Sequence, residues 1–279
     1  MFDLHIHSNF SDGSFTPRAL IKLAKKIGLD VISITDHDGI DGTAEAILAG
    51  SELGIKVITG IEISVSSSPK DLHLLGYNFD YKNNEFVKFV NRLKRFRDDR
   101  NILFIEEFRR LGINIDLADI QKYSLHDYLG KPHFAMILKE RGITESFEEA
   151  FVSEKYFRIE NFKQIKKEKP SDKEGIEAIR SAGGSPVLAH PGLLNLEPKD
   201  LRDLIDRLKS YGLMGIECYY SGHSAEFTED ILKIAKDNDL IITAGSDFHG
   251  NFAGGGRRSR MGFSGNVATE VAKLELPFL

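Results

Sequence analysis

The sequence has no tryptophan and a single cysteine, Cys218, among its 279 residues. One cysteine can form neither an intrachain disulfide nor a multi-cysteine zinc site, so metal binding, if any, must rest on other side chains. No apolar run reaches the roughly 18 residues that a membrane-spanning helix requires, and no membrane role is expected. An apolar secretory stretch is also missing, because the chain goes straight into Phe2-Asp3-Leu4-His5; a cytoplasmic location is the expectation. Charge of one sign is lacking too: 37 Lys and Arg stand against 42 Asp and Glu, for a net charge of -5. Contact with nucleic acid would therefore need a local basic patch rather than a basic surface. With 41% hydrophobic and 28% charged residues, disorder is excluded for most of the length. Internal repeats and low-complexity tracts are absent.

What is present is an alternation of short apolar runs with helical patterns. Seven segments read as buried strands: Phe2 to Ile6, Val31 to Thr35, Lys56 to Thr59, Leu72 to Gly76, Val187 to Ala189, Gly215 to Tyr219 and Leu240 to Ala244. After the first, Thr16-Pro17 offers an N-cap and a first-turn proline, and Leu20, Ile21, Leu23 and Ala24 recur at helical spacing until Gly28. The stretches Gly42 to Leu53, Ser171 to Ala182 and Pro198 to Tyr211, each closed by glycine, repeat the arrangement. Repeated strand-helix units favour a parallel barrel or an open α/β sheet. Between Tyr81 and Pro170 the strand signals give way to helical periodicity, with Phe86, Phe89, Val90, Leu93 and Phe96 on one stripe. The expected organisation is an α/β body from residues 1–80 and 171–279, interrupted by a helical insertion over 81–170. The insertion should hold a long helix ending near Leu111, a shorter one opened by Pro132, and a stretch with Ser146 and Glu149 at capping-box spacing.

The first strand reads Asp3-Leu4-His5-Ile6-His7, and the two-residue period of a strand puts both histidines on one face. Two imidazoles so placed can share one metal. Asp12 follows in the next loop, the second strand ends in Thr35-Asp36-His37-Asp38, and the third leads into Gly60-Ile61-Glu62. The fourth carries His73, the fifth ends in Ala189-His190-Pro191, and the seventh ends in Ser246-Asp247-Phe248-His249. A lone histidine at a strand end is ordinarily a hydrogen-bonded structural residue. Here His5, His7, Asp12, His37, Glu62, His73, His190, Asp247 and His249 fall together at strand ends or in the first loop and use six of the nine histidines. The C-terminal rim of a parallel barrel is where active sites are built. Nitrogen and oxygen donors without thiolate suit two or three Mn²⁺, Zn²⁺ or Fe ions; the donor set does not choose among them, and Mn²⁺ is the first expectation. Asp36, beside a ligand, is expected to orient imidazoles.

In this order the motifs His5-x-His7, Ser11-Asp12-Gly13, Thr35-Asp36-His37, Gly60-Ile61-Glu62, His73, Ala189-His190-Pro191 and Asp247-Phe248-His249 resemble the PHP (polymerase and histidinol phosphatase) superfamily over nearly the whole chain. The resemblance implies a distorted (β/α)7 barrel with a trinuclear metal site. Carried onto this sequence, it implies a first site of His5, His7, Glu62 and Asp247. A second would be Glu62, His73 and His190, and a third Asp12, His37 and His249, where Asp12 stands in a position that other branches fill with histidine. The four residues of the first site would flank a metal-activated water. The helical insertion, Lys131-Pro132-His133-Phe134-Ala135 and the tail Ser246 to Gly250 resemble the branch of 3′,5′-nucleoside bisphosphate phosphatases and 5′-to-3′ exoribonucleases. That implies a small phosphorylated nucleotide or a short RNA 5′ end as substrate, with no obligate protein partner.

From Lys88 to Arg110, eight basic residues oppose four acidic ones. A solvated helix face is the ordinary reading of such a run. Arg100 is singled out because it sits, with Asn101, where the branch supplies groups to a substrate phosphate, and its fork can bind phosphate in bidentate fashion. His133 follows Pro132 at an expected helix N-terminus, which favours an anion. Gly254 to Arg258 offers a loop that can close over a phosphate or remain a surface loop, and Tyr77, Phe79, Tyr219 and Phe248 are either stacking surfaces for a base or core residues. Glu217 is left as a rim residue or an internal polar partner. Other readings of the same histidine-rich rim are a histidinol-phosphate phosphatase, an amidohydrolase-like C–N hydrolase and a non-catalytic metal-binding module.

Overall fold

A computed structural model describes residues 1–122, 126, 128–152, 155–165, 168–250, 260–263 and 265–278. Each of the seven apolar segments forms a strand: β1 (Phe2–Ile6), β2 (Val31–Ile34), β3 (Lys56–Val65), β4 (Leu72–Tyr77), β5 (Ser185–Leu188), β6 (Gly215–Tyr220) and β7 (Ile241–Gly245). They lie side by side in sequence order in one sheet. The two outer strands meet: Ile6 bridges Phe248 in parallel, the His7 N–H donates to the Phe248 carbonyl at 2.8 Å, and the Asp247 N–H donates to the His5 carbonyl at 2.8 Å. The sheet thus closes into a distorted seven-stranded barrel.

One strand departs from the all-parallel expectation. β4 pairs antiparallel with both β3 and β5, while the remaining pairs are parallel. Strand periodicity carries no direction, and β3 runs on to Val65, well past the apolar segment that closes at Thr59. Residues 66–71 are all that then separate β3 from β4, too few for the crossover of a dozen or more residues that a parallel neighbour needs.

Helices cover the outside. In α1 (Pro17–Lys26) the Thr16 hydroxyl accepts from the Ala19 N–H at 3.2 Å. α2 (Thr43–Leu53) ends at Gly54, whose φ of 72° is one that glycine adopts without strain. α8 (Asp172–Ser181), capped by Ser171, and α9 (Pro198–Tyr211) also match their sequence signals. α10 (Ala225–Asp237) has no counterpart among the expected helices; it starts at the Ser224 cap and buries Ile231 and Ala235 over β6 and β7. α11 (Gly265–Val271) adds Val271 to the barrel core.

The segment between β4 and β5 holds α3 (Asn84–Arg110), α4 (Leu117–Gln121), α5 (Lys131–Glu140), α6 (Glu149–Val152) and α7 (Glu160–Gln164). α3 serves two cores. Its Phe86, Val90 and Leu93 pack with the barrel, while Phe104, Ile105 and Phe108 pack in a separate apolar cluster with Phe134, Phe157 and Phe162. At α6 the Ser146 hydroxyl accepts from the Glu149 N–H at 3.1 Å, but the Glu149 carboxylate takes the N–H of Glu145, so the box is not reciprocal. No described helix is long and apolar enough to cross a membrane.

Candidate active site at the strand ends

Strand alternation sends His5 and His7 inward from β1, and both are completely buried. His37 lies just past β2 and bridges Glu62 of β3. His73 stands near the start of β4, opposite Ser64, and the reversal of β4 brings that start to the rim where the parallel strands end. His190 follows β5, and Asp247 and His249 follow β7. His190 and Asp247 adopt φ values of 27° and 55°, left-handed backbone that non-glycine residues hold only when their surroundings enforce it.

Glu62 is the hub. Its Oε1 lies 2.8 Å from His73 Nδ1 and 2.9 Å from His190 Nε2. Its Oε2 lies 3.1 Å from His37 Nδ1 and 3.2 Å from the Nε2 atoms of His5 and His7. Donor atoms converge in three overlapping groups: His5, His7, Glu62 and Asp247; His7, Asp12, His37 and His249; and His37, Glu62 and His73. His190 stands outside these groups and reaches the centre through Glu62.

Buried carboxylates brace the ligand-bearing segments from behind. Asp36 accepts from the Ser8 N–H at 2.7 Å and from the hydroxyls of Ser8 and Ser11 at 2.6 and 2.5 Å. It therefore ties down the loop between His7 and Asp12, rather than bonding an imidazole as expected. Asp3 accepts from the Ser246 N–H and hydroxyl at 2.9 and 2.6 Å, and so fixes the residue before Asp247. Burial raises the pKa of both Asp3 and Asp36, against the lowering effect of these hydrogen bonds.

The donor set fits divalent cations. His5 Nε2, both ring nitrogens of His7, Asp12 Oδ1, His37 Nδ1 and Glu62 Oε2 are buried without a hydrogen-bond partner. Buried polar atoms are rarely left unsatisfied in native proteins, and this many lone pairs aimed at one region call for positive charge. Burial works against ionising Glu62 and Asp12, yet the imidazoles around them hold both well below the usual carboxylate range. Burial pushes His37 down to about 3, whereas His5 and His7 are raised against their burial by the carboxylates they face, His7 to about 10.

The centre opens into a cavity of about 860 Å³. Asp12, His37 and His73 line it from the barrel, while Arg97, Arg100, Lys131, Lys163 and Lys169 line it from the insertion with Tyr128, Phe157 and Phe162. Arg97 is not on a solvated face: 4% exposed, it donates to the His37 carbonyl at 3.0 Å, pairs with Asp38 at 3.3 Å and lies 4.0 Å from the Tyr128 ring centre. It stands three positions before Arg100, so both arginines share one side of α3, a spacing legible in the sequence.

Arg100 faces the cavity and donates to Asn101 Oδ1 at 2.9 Å, while Asn101 Nδ2 donates to the Leu129 carbonyl at 2.7 Å. Asn101 itself is buried and does not line the cavity. His133 Nδ1 accepts from the Gly130 N–H at 3.1 Å, and burial lowers its pKa; the cavity touches Gly130, Lys131 and Pro132 rather than the imidazole. Tyr77, Phe79, Tyr219 and Phe248 are all core residues. The Gly254 to Arg258 loop lies outside the described residues.

The chain is 32% identical over 248 residues to a 5′-3′ exoribonuclease of Haemophilus influenzae, covering 89% of each chain. It is 29% identical over 261 residues to a 3′,5′-nucleoside bisphosphate phosphatase of Chromobacterium violaceum, covering 91% of this chain and 88% of that one. A crystal structure provisionally assigned as a metal-dependent phosphoesterase, from Bifidobacterium adolescentis, superposes with a TM-score of 0.82 at 29% identity, covering 97% of this chain and 94% of that one. The sequence pattern of the PHP domain matches residues 3–211, from the first strand through α9. With the histidine-rich rim and the seven-stranded barrel, this match makes the chain a member of the PHP domain family.

Proposed function

We propose that this protein is a metal-dependent phosphoester hydrolase that removes the 3′-phosphate of nucleoside 3′,5′-bisphosphates, trims short 5′-phosphorylated RNA from its 5′ end, or does both. One observation carries the reading: a single cavity has metal-donor side chains on the barrel side and cationic side chains, with aromatic rings, on the insertion side. Phosphate esters need both, a centre that neutralises the reacting phosphoryl group and donors that hold an anionic neighbour. Relatives named for these two activities match over most of their length.

His5, His7, Glu62 and Asp247 would hold one divalent ion, Asp12, His37 and His249 another, and His73 and His190 with Glu62 a third. Bound there, such ions supply an attacking water with its pKa lowered to about 7 and positive charge at the phosphoryl oxygens. Glu62 fixes the spacing of the donor groups because both of its oxygens sit among imidazoles. Arg100 presents its fork to the substrate phosphate, and Asn101 holds that fork in place from behind. His133 shapes the Gly130 turn at the cavity wall. Phe157, Phe162 and Tyr128 offer apolar surface to the nucleoside.

The competing C–N hydrolase reading calls for a metal-bridging lysine at a central strand end, where this chain has Glu62 and His73. The test is kcat/KM for adenosine 3′,5′-bisphosphate, a short 5′-phosphorylated RNA and histidinol phosphate in Mn²⁺-loaded protein. AMP and phosphate from the first, or stepwise 5′ mononucleotides from the second, support the reading. Preference for histidinol phosphate, or no turnover of any of the three, overturns it.

A further inference from the structure

We infer that Glu217 is a positioning residue that fixes, with its two oxygens, the ring tautomer of His5 and the main chain at His190, and so presets two segments of the metal centre at once. This rests on the metal-site reading above. Glu217 lies on β6, contributes to none of the donor groups and is completely buried. Its Oε1 is 3.0 Å from His5 Nδ1, and its Oε2 accepts from the His190 N–H at 2.8 Å. The opposite ring nitrogen, His5 Nε2, is the one that points at Glu62 and Asp247 and has no hydrogen-bond partner.

A carboxylate only accepts hydrogen bonds, so Glu217 requires the proton of neutral His5 to sit on Nδ1 and leaves the Nε2 lone pair for a cation. Its second oxygen holds the His190 N–H at a residue whose φ is 27°, a conformation that needs outside support. The arrangement is sealed from above. A Cβ placed on Gly245 would lie 2.1 Å from His5 Cβ and 2.4 Å from Glu217 Oε1, so the β7 backbone packs directly on the pair.

Glutamine is nearly isosteric yet cannot do both jobs. If its oxygen faces His5, its NH₂ opposes the His190 N–H, donor against donor. If its NH₂ faces His5, the ring must carry its proton on Nε2, where it blocks a cation. The experiment compares wild type with Glu217→Gln by Mn²⁺ binding isotherm and by the ¹⁵N shifts of the His5 ring in metal-free protein, read at a pH where the ring is neutral. Wild type should show the Nδ1–H form, and the variant should bind Mn²⁺ about 10–100-fold more weakly with the Nε2–H form or a mixture.

Wild-type Mn²⁺ affinity together with an unchanged His5 tautomer in folded Glu217→Gln overturns the inference, as does a lowered melting temperature with both readouts unmoved. Should the variant fail to fold, the wild-type ring decides: Nδ1–H supports the inference and Nε2–H overturns it. Absence of Mn²⁺ binding in wild type would instead count against the metal-site reading itself.

Discussion

Nε2 of His190 lies 2.9 Å from Oε1 of Glu62, although 128 positions separate them in the chain. The antiparallel β4 is what brings these segments together, because it pairs with β3 on one side and β5 on the other. Replacing Glu62 with Gln would set an amide donor among imidazoles that need an acceptor. Glu62→Gln is expected to keep the fold, lose bound metal and drop turnover to background. Metal analysis by mass spectrometry beside the phosphate-release assay checks this; full metal content with full turnover contradicts it.

Arg100 and Asn101 form a relay from the Leu129 carbonyl to the cavity. Arg100→Ala should lower kcat/KM about 10²-fold, the scale for losing one donor to a developing or bound anion. Arg100→Lys should recover only part of this, since the ammonium has no planar fork. Asn101→Ala should raise KM with a smaller effect on kcat, because Arg100 remains but is no longer held. Steady-state kinetics at fixed Mn²⁺ separate these outcomes, and an Asn101→Ala enzyme with wild-type KM would contradict the relay.

Lys131 lines the cavity, and its pKa is lowered, first by burial and then by the neighbouring charges of Arg100 and Lys169. The cation assists binding of phosphate only while protonated, so its help disappears as pH rises through a value below the ordinary lysine range. KM should therefore climb on the alkaline side earlier than a free lysine would dictate. In Lys131→Met, KM should be higher at neutral pH and lack that climb. An identical alkaline profile in the two proteins would remove Lys131 from substrate binding.

Phe108 is fully buried and touches Phe134, Phe157 and Phe162, with ring centres 5.6, 5.8 and 4.6 Å away. Phe108→Ala should cost about 3–5 kcal/mol, the range for emptying an aromatic site in a packed core. Since Phe157 and Phe162 also line the cavity, KM should rise while Mn²⁺ stoichiometry stays at the wild-type value. Urea unfolding and a metal titration read the two effects separately, and loss of metal in the folded variant would show that the two clusters are not independent.

The strands and the donor residues were legible because both follow short-range rules. His5 and His7 share a face through the two-residue period of a strand, and the remaining donors sit where apolar runs stop. The direction of β4 is not legible, since the gap in the apolar pattern from Thr59 to Leu72 leaves room for a crossover. Asp3 was hidden for a different reason, and Asp36 and Glu217 were legible as polar partners without their targets. Each binds side chains or backbone brought in from distant strands, so nothing local marks a buried carboxylate as a brace. Arg97 and Arg100 carry the same local signal, and only the packing of α3 against His37, Asp38 and Tyr128 reveals that Arg97 is withdrawn from solvent while Arg100 faces the cavity.

The most direct test of the central claim is phosphate release from adenosine 3′,5′-bisphosphate by one preparation measured three times: as purified, after removal of metal by a chelator, and after reloading with Mn²⁺. Loss of turnover on chelation and its return on reloading, with AMP as the second product, is the predicted result. Turnover unaffected by chelation, or none from protein shown to carry Mn²⁺ at the rim, would contradict it.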